Sequence, residues 1–240
     1  MENQPIPSAS LILLRDGAEG LELFMIRRNA GLRFAAGATV FPGGRVDPED
    51  GAGAPGDDRT LRRAAIREAF EECGILLARG GVDAALLEVL RAPSPVPLAE
   101  RLRLAGLEPA VEALVPFARW ITPETVWRRF DTTFFLAPAP VGQVATVDGG
   151  EAVAGLWGTP AAILREAEAG RLSLVFATRM NLMRLSGCGS VAEALAAAHH
   201  QPLVPILPRR IDGPAGAVFR IPDGAGYALT EVAASDVRLG

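Results

Sequence analysis

The sequence has no lysine; all 24 of its basic residues are arginine. This absence removes the P-loop lysine, the Schiff-base lysine and the phosphate-gripping lysine of kinases from the mechanisms open to the chain. Histidine is nearly as scarce. His199 and His200 are adjacent at a predicted helix end, where neighbours point apart and cannot share a metal, so they suit the helix-end dipole instead. No G-x-S-x-G elbow is present, and a serine–histidine triad has no footing. Two cysteines, Cys73 and Cys188, are too few for a disulfide framework and suit a reducing cytoplasm. No apolar run approaches the roughly 18 residues that a membrane span requires. The run Leu11–Leu14 lacks a preceding basic stretch and is too short for a signal peptide. The expectation is a cytoplasmic protein with no membrane contact.

Net charge is -4, from 28 acidic and 24 basic residues, which leaves no basic field to hold nucleic acid. A nucleotide remains open as a ligand, because a cation or a few arginines can neutralise one diphosphate. With 49% hydrophobic and 22% charged residues, the 240-residue chain reads as globular, and a single domain over 1–240 is expected.

Residues 8–15 and 21–28 read as two strands around a turn, and 38–41 as a third short apolar run ended by Pro42-Gly43-Gly44. A helix is predicted from about Thr60 to Cys73, with Asp57 or Asp58 as cap, an apolar stripe through Leu61, Ala65 and Ala69, and Gly74 as its stop. Residues 82–91 and 97–106 suggest further helices, 115–121 and 131–137 strands, and 151–157 a weaker strand. Helices follow at 160–169, 175–187 and 190–200, and the proline-rich remainder is expected to be irregular with one hairpin. The alternation points to an α/β or α+β domain, with a core over about 6–170 and a helical C-terminal extension over about 171–240.

The chemistry concentrates in residues 67–75, Arg67-Glu68-Ala69-Phe70-Glu71-Glu72-Cys73-Gly74-Ile75. On a helix, Glu71 lies about 60° to one side of Glu68 and Glu72 about 40° to the other, so three carboxylates share one face. Mg²⁺ prefers carboxylate oxygens and keeps several waters, which suits a site completed by substrate phosphates. A solvated acidic face would have the same look. Exposed like charges at helical spacing cost only about 0.2–0.5 kcal/mol per pair, so repulsion does not choose between the readings.

The joint pattern does choose. It matches R-E-U-x-E-E-x-G-U, where U is apolar, and here the chain resembles the Nudix hydrolase family, whose full box is G-x5-E-x7-R-E-U-x-E-E-x-G-U. Gly43 and Glu49 satisfy G-x5-E, but residues 50–66 fill 17 positions where the family has 7. The additional residues are rich in glycine, proline and aspartate, so a surface loop can absorb them at little entropic cost. Pairing Gly44 with Asp50 is an alternative register. An enlarged box is similar to that of the subgroup of the peroxisomal coenzyme A diphosphatase. The same likeness extends to Leu23-Phe24-Met25-Ile26-Arg27-Arg28, Phe34, Gly37 and Val40-Phe41-Pro42-Gly43-Gly44 before the box, and to Trp120-Ile121-Thr122-Pro123, Arg129-Phe130-Asp131-Thr132 and Phe134-Phe135 after it. Asn29 stands where coenzyme A-cleaving relatives often carry serine.

The resemblance implies a Nudix fold, a mixed β-sheet sandwiched between helices, and water attack on a diphosphate with Mg²⁺ or Mn²⁺. Glu68, Glu71 and Glu72 would be metal ligands, joined by the Gly44 carbonyl, and Glu68 is also a candidate general base. Arg67 would hold Glu49 or Glu71 and orient the loop. Gly43, Gly44 and one of Arg27 and Arg28 would meet the substrate, since neighbours on a strand face opposite ways. An acid outside the helix would complete the site, with Glu151 the first candidate and Glu124 or Asp131 the next. The substrate would be a small nucleoside-diphosphate compound. Coenzyme A or acyl-coenzyme A, ADP-ribose or a dinucleotide, and a non-catalytic nucleotide-binding role all stay open, as does a homodimer or a pocket cover for the C-terminal region.

Other signals carry less. Gly51-Ala52-Gly53-Ala54-Pro55-Gly56 is formally a dinucleotide fingerprint, but Asp47-Pro48-Glu49-Asp50 intervenes where an apolar strand should lead into it. Trp120, Phe130 and Phe134 could stack on a base, yet aromatics on strands are more often core. Cys73 falls on the apolar side of its helix.

Overall fold

The computed structural model describes residues 4–51, 53, 54, 56–147, 149–214 and 216–239. Ala52 and Pro55 of the glycine-rich run therefore lie outside the described residues. Strand β1 (Ile6–Gly17) is apolar on both faces, burying Leu11 and Leu13 on one side and Ile12 and Leu14 on the other. A strand reads this way when both faces of its sheet are covered. It turns into β2 (Gly20–Arg28), followed by β3 (Thr39–Val40), β4 (Gly43–Arg45) and α1 (Asp58–Cys73). Next come β5 (Ala78–Arg79), α2 (Ala84–Arg91), α3 (Leu98–Leu104) and β6 (Glu108–Pro109), then β7 (Val115–Ile121), β8 (Phe130–Pro138) and β9 (Ala152–Gly158). The remainder holds α4 (Pro160–Glu168), α5 (Phe176–Leu185), α6 (Val191–His199), β10 (Pro205–Ile206), β11 (Arg209–Gly213), β12 (Gly216–Arg220) and β13 (Glu231–Ala233).

The fold is mixed α/β, an eight-stranded mixed sheet between helices. Its principal order is β10-β7-β8-β1-β2-β3, with β9 on β2 and β4 on β1. The β1–β8 pairing is parallel, from Ile6 opposite Phe130 to Leu14 opposite Pro138. On its other edge β1 is shared. Leu14–Gly17 pair with β2, whereas Ser8–Ser10 pair with β4. Helices α1, α2 and α3 supply apolar side chains to the face of Leu11, Phe24 and Phe135, and α4, α5 and α6 to that of Ile12, Met25 and Phe134. Among the described residues no helix is long and apolar enough to cross a membrane.

The region after residue 170 holds the two expected helices and the one expected hairpin, β11–β12, but carries more strand than an otherwise irregular tail. It adds β10 to the edge of the main sheet, parallel to β7, and builds a separate antiparallel sheet, β11-β12-β13. Its Phe176, Met180, Ile206 and Phe219 enter the same apolar cluster as Trp120 and Phe134. Trp120 donates to the Tyr227 hydroxyl at 3.0 Å, which in turn donates to Asn181 Oδ1 at 2.6 Å. Trp120 and Phe134 are thus buried packing residues rather than a platform for a base.

Candidate active site

Helix α1 sets the site. Asp57 caps it by accepting from Thr60 N–H at 3.2 Å, and Gly74 ends it in the left-handed conformation (φ 67°), its N–H bonded to Phe70 O. Leu61, Ala65, Ala69 and Cys73 bury against the sheet, and burial pushes the Cys73 thiol up to about 12, which leaves it an inert core residue. The adjoining face of the helix carries Glu68, Glu71 and Glu72 to the wall of a cavity of about 530 Å³. Facing them are Gly43, Gly44 and Arg45 of β4, Arg28 at the end of β2, Glu151 just before β9, and Phe34, Arg128 and Phe130.

The glycines admit the close approach of strand and helix. A Cβ on Gly44 would fall 2.5 Å from Glu68 Oε1, and one on Gly43 2.5 Å from the Ala9 carbonyl oxygen. Gly43 N–H donates to Glu72 Oε2 at 2.8 Å, fixing the carboxylate most deeply buried of the three. Glu72 Oε1 lies 3.6 Å from Arg28, whose guanidinium also reaches Glu151 at 3.9 Å. Arg28 Nε is buried with no hydrogen-bond partner among the described residues.

Arg67 does not enter the cavity with a free guanidinium. Its Nε and Nη2 donate to Asp50 Oδ1 and Oδ2 at 2.9 and 3.0 Å, its Nη1 to Glu68 and Glu71 at 3.0 and 2.8 Å, and Nη2 also to the Arg45 carbonyl at 3.0 Å. The bidentate partner is Asp50, not Glu49. Glu49 sits in the same 3₁₀ turn but is exposed and lines a different hollow. Asp50 also accepts from Asp47 N–H at 2.8 Å, so one buried carboxylate closes the turn and anchors the arginine.

Burial raises the Glu68 carboxyl to about 7, with Arg67 opposing the rise and Glu71 and Glu151 adding to it. Glu72 is raised to about 8, again by burial first, with the Gly43 N–H opposing and the Glu68 charge reinforcing. Glu71 is also raised, chiefly by burial. Carboxyl groups are therefore gathered where the protein itself compensates their charge poorly, and they hold their protons more tightly than free ones do. Among the described residues no three acids, cysteines or histidines already form a ligand cage. The donor set is nevertheless carboxylate oxygen around a roomy polar hollow. That suits Mg²⁺ or Mn²⁺, which take one or two carboxylates and complete their shell with water and phosphate oxygens.

Of the residues singled out from the sequence, Glu68, Glu71, Glu72, Gly43, Gly44, Arg28 and Glu151 come together here, with Arg67 behind them. Arg27 does not; it is exposed and lines no wall of this cavity. Asp131 is held by Arg119 through bonds of 2.8 and 2.6 Å, and Glu124 is exposed beyond β7. Neither lines the cavity. His199 ends α6, and His200 Nδ1 lies 2.7 Å from the Ala196 carbonyl at the helix end. Sequence reasoning missed Arg128 and Leu32, whose loops carry no periodicity that could have flagged them.

Residues 5–176 match the NUDIX domain family. The chain is 46% identical over 66 residues to "Peroxisomal coenzyme A diphosphatase ndx-8" of Caenorhabditis elegans, covering 27% of this chain and 25% of that protein. A second Caenorhabditis elegans protein, named as nudix hydrolase 7, is 30% identical over 168 residues, 68% of this chain and 55% of the other. The chain thus spans between about a quarter and about half of the length of these curated relatives. A crystal structure of a NUDIX hydrolase from Alicyclobacillus acidocaldarius aligns with TM-score 0.71 and 28% identity, covering 82% of this chain and 97% of that one.

Proposed function

The chain belongs to the NUDIX domain family, and from that premise we propose that it hydrolyses the diphosphate linkage of a small nucleoside-diphosphate compound, assisted by Mg²⁺ or Mn²⁺. The observation that carries this reading is the polar cavity on which Glu68, Glu71 and Glu72 converge with the backbone of Gly43 and Gly44 and the guanidinium of Arg28. Glu68, Glu71 and Glu72, with the Gly44 carbonyl, would hold the cation. When bound, it polarises phosphoryl oxygens and lowers the pKa of water. The rest belongs to the protein. Arg28 faces the diphosphate charge, and a planar guanidinium with a buried unpaired Nε suits phosphate oxygens. Glu68 receives the proton of the attacking water at its carboxylate. Arg67 keeps the β4 backbone and the helix in register through Asp50 and the Arg45 carbonyl.

Coenzyme A or an acyl-coenzyme A is the favoured substrate class, because the segment of strongest identity belongs to a protein named as a coenzyme A diphosphatase. ADP-ribose and dinucleotides are the comparison class. A panel of coenzyme A, ADP-ribose and a dinucleoside polyphosphate with Mg²⁺ or Mn²⁺ separates them, with Glu72→Gln as the control. Turnover of coenzyme A above the others, abolished in that variant, is expected. Cleavage of ADP-ribose at least as well as coenzyme A overturns the substrate class. Near-normal turnover by Glu72→Gln removes that residue from the mechanism.

A further inference from the structure

Two apolar hollows, about 170 and about 120 Å³, adjoin the polar cavity. The larger shares Arg28, Gly43, Gly44, Phe34 and Phe130 with it, and the two share Phe34, Phe130, Phe134, Val175 and Thr178 with each other. Phe34 and Phe130 stand at this junction with ring centroids 5.0 Å apart. Beyond Arg28 at the mouth, neither hollow is lined by an ionisable side chain among the described residues, so none of them could neutralise a second phosphate inside. Both therefore suit an uncharged, apolar group.

The wall that carries Phe34 is a loop held from outside itself. Ala35 adopts a left-handed conformation (φ 51°), which a non-glycine residue keeps only when its surroundings enforce it. At one end Asn29 donates to the Gly150 carbonyl at 2.9 Å and accepts from Gly31 N–H at 3.0 Å. At the other, Arg238 Nη2 donates to the Ala36 carbonyl at 2.8 Å while Nη1 donates to the Ser173 hydroxyl. Segment 238 is itself docked, its carbonyl accepting from Phe176 N–H at 2.7 Å, and the neighbouring Ser173 carbonyl accepts from Thr39 N–H at 2.7 Å. Leu239 lines the smaller hollow.

We infer that Arg238 is a positioning residue, pinning the Phe34 loop so that Phe34, Phe130 and Leu239 enclose an apolar compartment that takes an uncharged chain attached to the diphosphate. It acts through the loop and touches neither phosphate nor reacting water. The compartment deepens the proposed hydrolase reading and rests on it, whereas the hold of Arg238 on the loop stands on its own hydrogen bonds.

The test uses β-alkyl esters of ADP, methyl against butyl, with Mn²⁺. Water adds its oxygen to one phosphorus and the bridging P–O bond breaks, giving AMP and an alkyl phosphate, with the water proton passing to Glu68 and from it to solvent. Each methylene buried is worth about fourfold in affinity, so the butyl ester should show a KM at least about tenfold lower than the methyl ester in the unaltered protein. Arg238→Ala should abolish that ratio with kcat on the methyl ester nearly unchanged, and Arg238→Lys, which keeps a single donor nitrogen in place of two, should restore part of it. In parallel, hydrogen exchange at residues 30–38 should accelerate about tenfold in Arg238→Ala, with α1 unaffected. Unchanged exchange in that loop, or an unchanged methyl-to-butyl ratio, overturns the inference. If the unaltered protein cleaves neither ester, the hydrolase reading fails instead. The exchange arm and the dissociation constants of the two esters then still judge Arg238 and its compartment.

Discussion

Removing Asp50 tests the architecture beneath the carboxylate helix. Asp50 and Arg67 are both nearly buried, at 3% and 5% exposure, and joined by two hydrogen bonds of 2.9 and 3.0 Å. Deleting one partner of a buried ion pair costs about 3–5 kcal/mol, because the surviving charge stays out of water. Arg67 retains Glu68 and Glu71, which places the loss near the lower end, and the Asp47 N–H also loses its acceptor. Asp50→Ala should therefore cost about 3 kcal/mol, or roughly 6–12 °C in melting temperature for a chain of this length. Asp50→Asn should cost nearly as much, since its amide would turn a donor towards the guanidinium. Glu49→Ala, one residue away and exposed, should stay within about 0.5 kcal/mol. Urea and thermal unfolding of the three variants are the assay. A loss below about 1 kcal/mol for Asp50→Ala, or an equal loss for Glu49→Ala, would refute the claim that this aspartate is the anchor.

That comparison also marks where sequence reasoning stopped. The α1 stripe, its Gly74 stop and the shared face of Glu68, Glu71 and Glu72 follow from local helix geometry and were readable from spacing, whereas the cap stayed open between Asp57 and Asp58 until the structure showed Asp57. Glu49 against Asp50 was not readable. The inserted loop severs the count between Gly43 and Arg67, and only the fold shows which carboxylate points inward. Strand alternation stated that one of Arg27 and Arg28 could face the site, but the pairing of β2 with β9 shifts register between them, so no counting from Leu23 would choose. Asp131 reads as a free acid until β7 and β8 are aligned and Arg119 falls beside it. The short strands β11, β12 and β13, of five, five and three residues, hold together by packing onto the Trp120 side of the sheet, and propensity at that length carries almost no signal.

Three further perturbations read the cavity itself. Gly44→Ala should drive a methyl into the Glu68 carboxylate and push it out of place, reducing turnover more than tenfold while the fold holds, because the end of that side chain can swing aside; normal kinetics would deny that the β4 backbone and Glu68 are in contact. Arg28→Ala should raise KM for any diphosphate substrate about tenfold, the value of a charge-assisted hydrogen bond, while Arg27→Ala leaves it within twofold; equal effects would refute the assignment of only Arg28 to the cavity. The third perturbation is pH. In the metal-free protein Glu68 and Glu72 are raised from 4.5 to about 7 and about 8, so the folded state keeps protons that the unfolded chain has released. Where the folded state binds more protons, stability falls as pH rises. The contribution of these two groups is complete below about pH 4.5 and disappears as pH climbs through 7 and 8. Metal-free protein should accordingly lose melting temperature between pH 5 and 8 relative to a Glu68→Gln, Glu72→Gln double variant, in which both titrations are gone. Mg²⁺ or Mn²⁺ should restore more of it at pH 8 than at pH 6, because cation and proton compete for the same oxygens. A difference between the two proteins that is flat across that range, or that favours the unaltered chain as pH rises, would mean that these carboxylates are not buried together as the geometry requires.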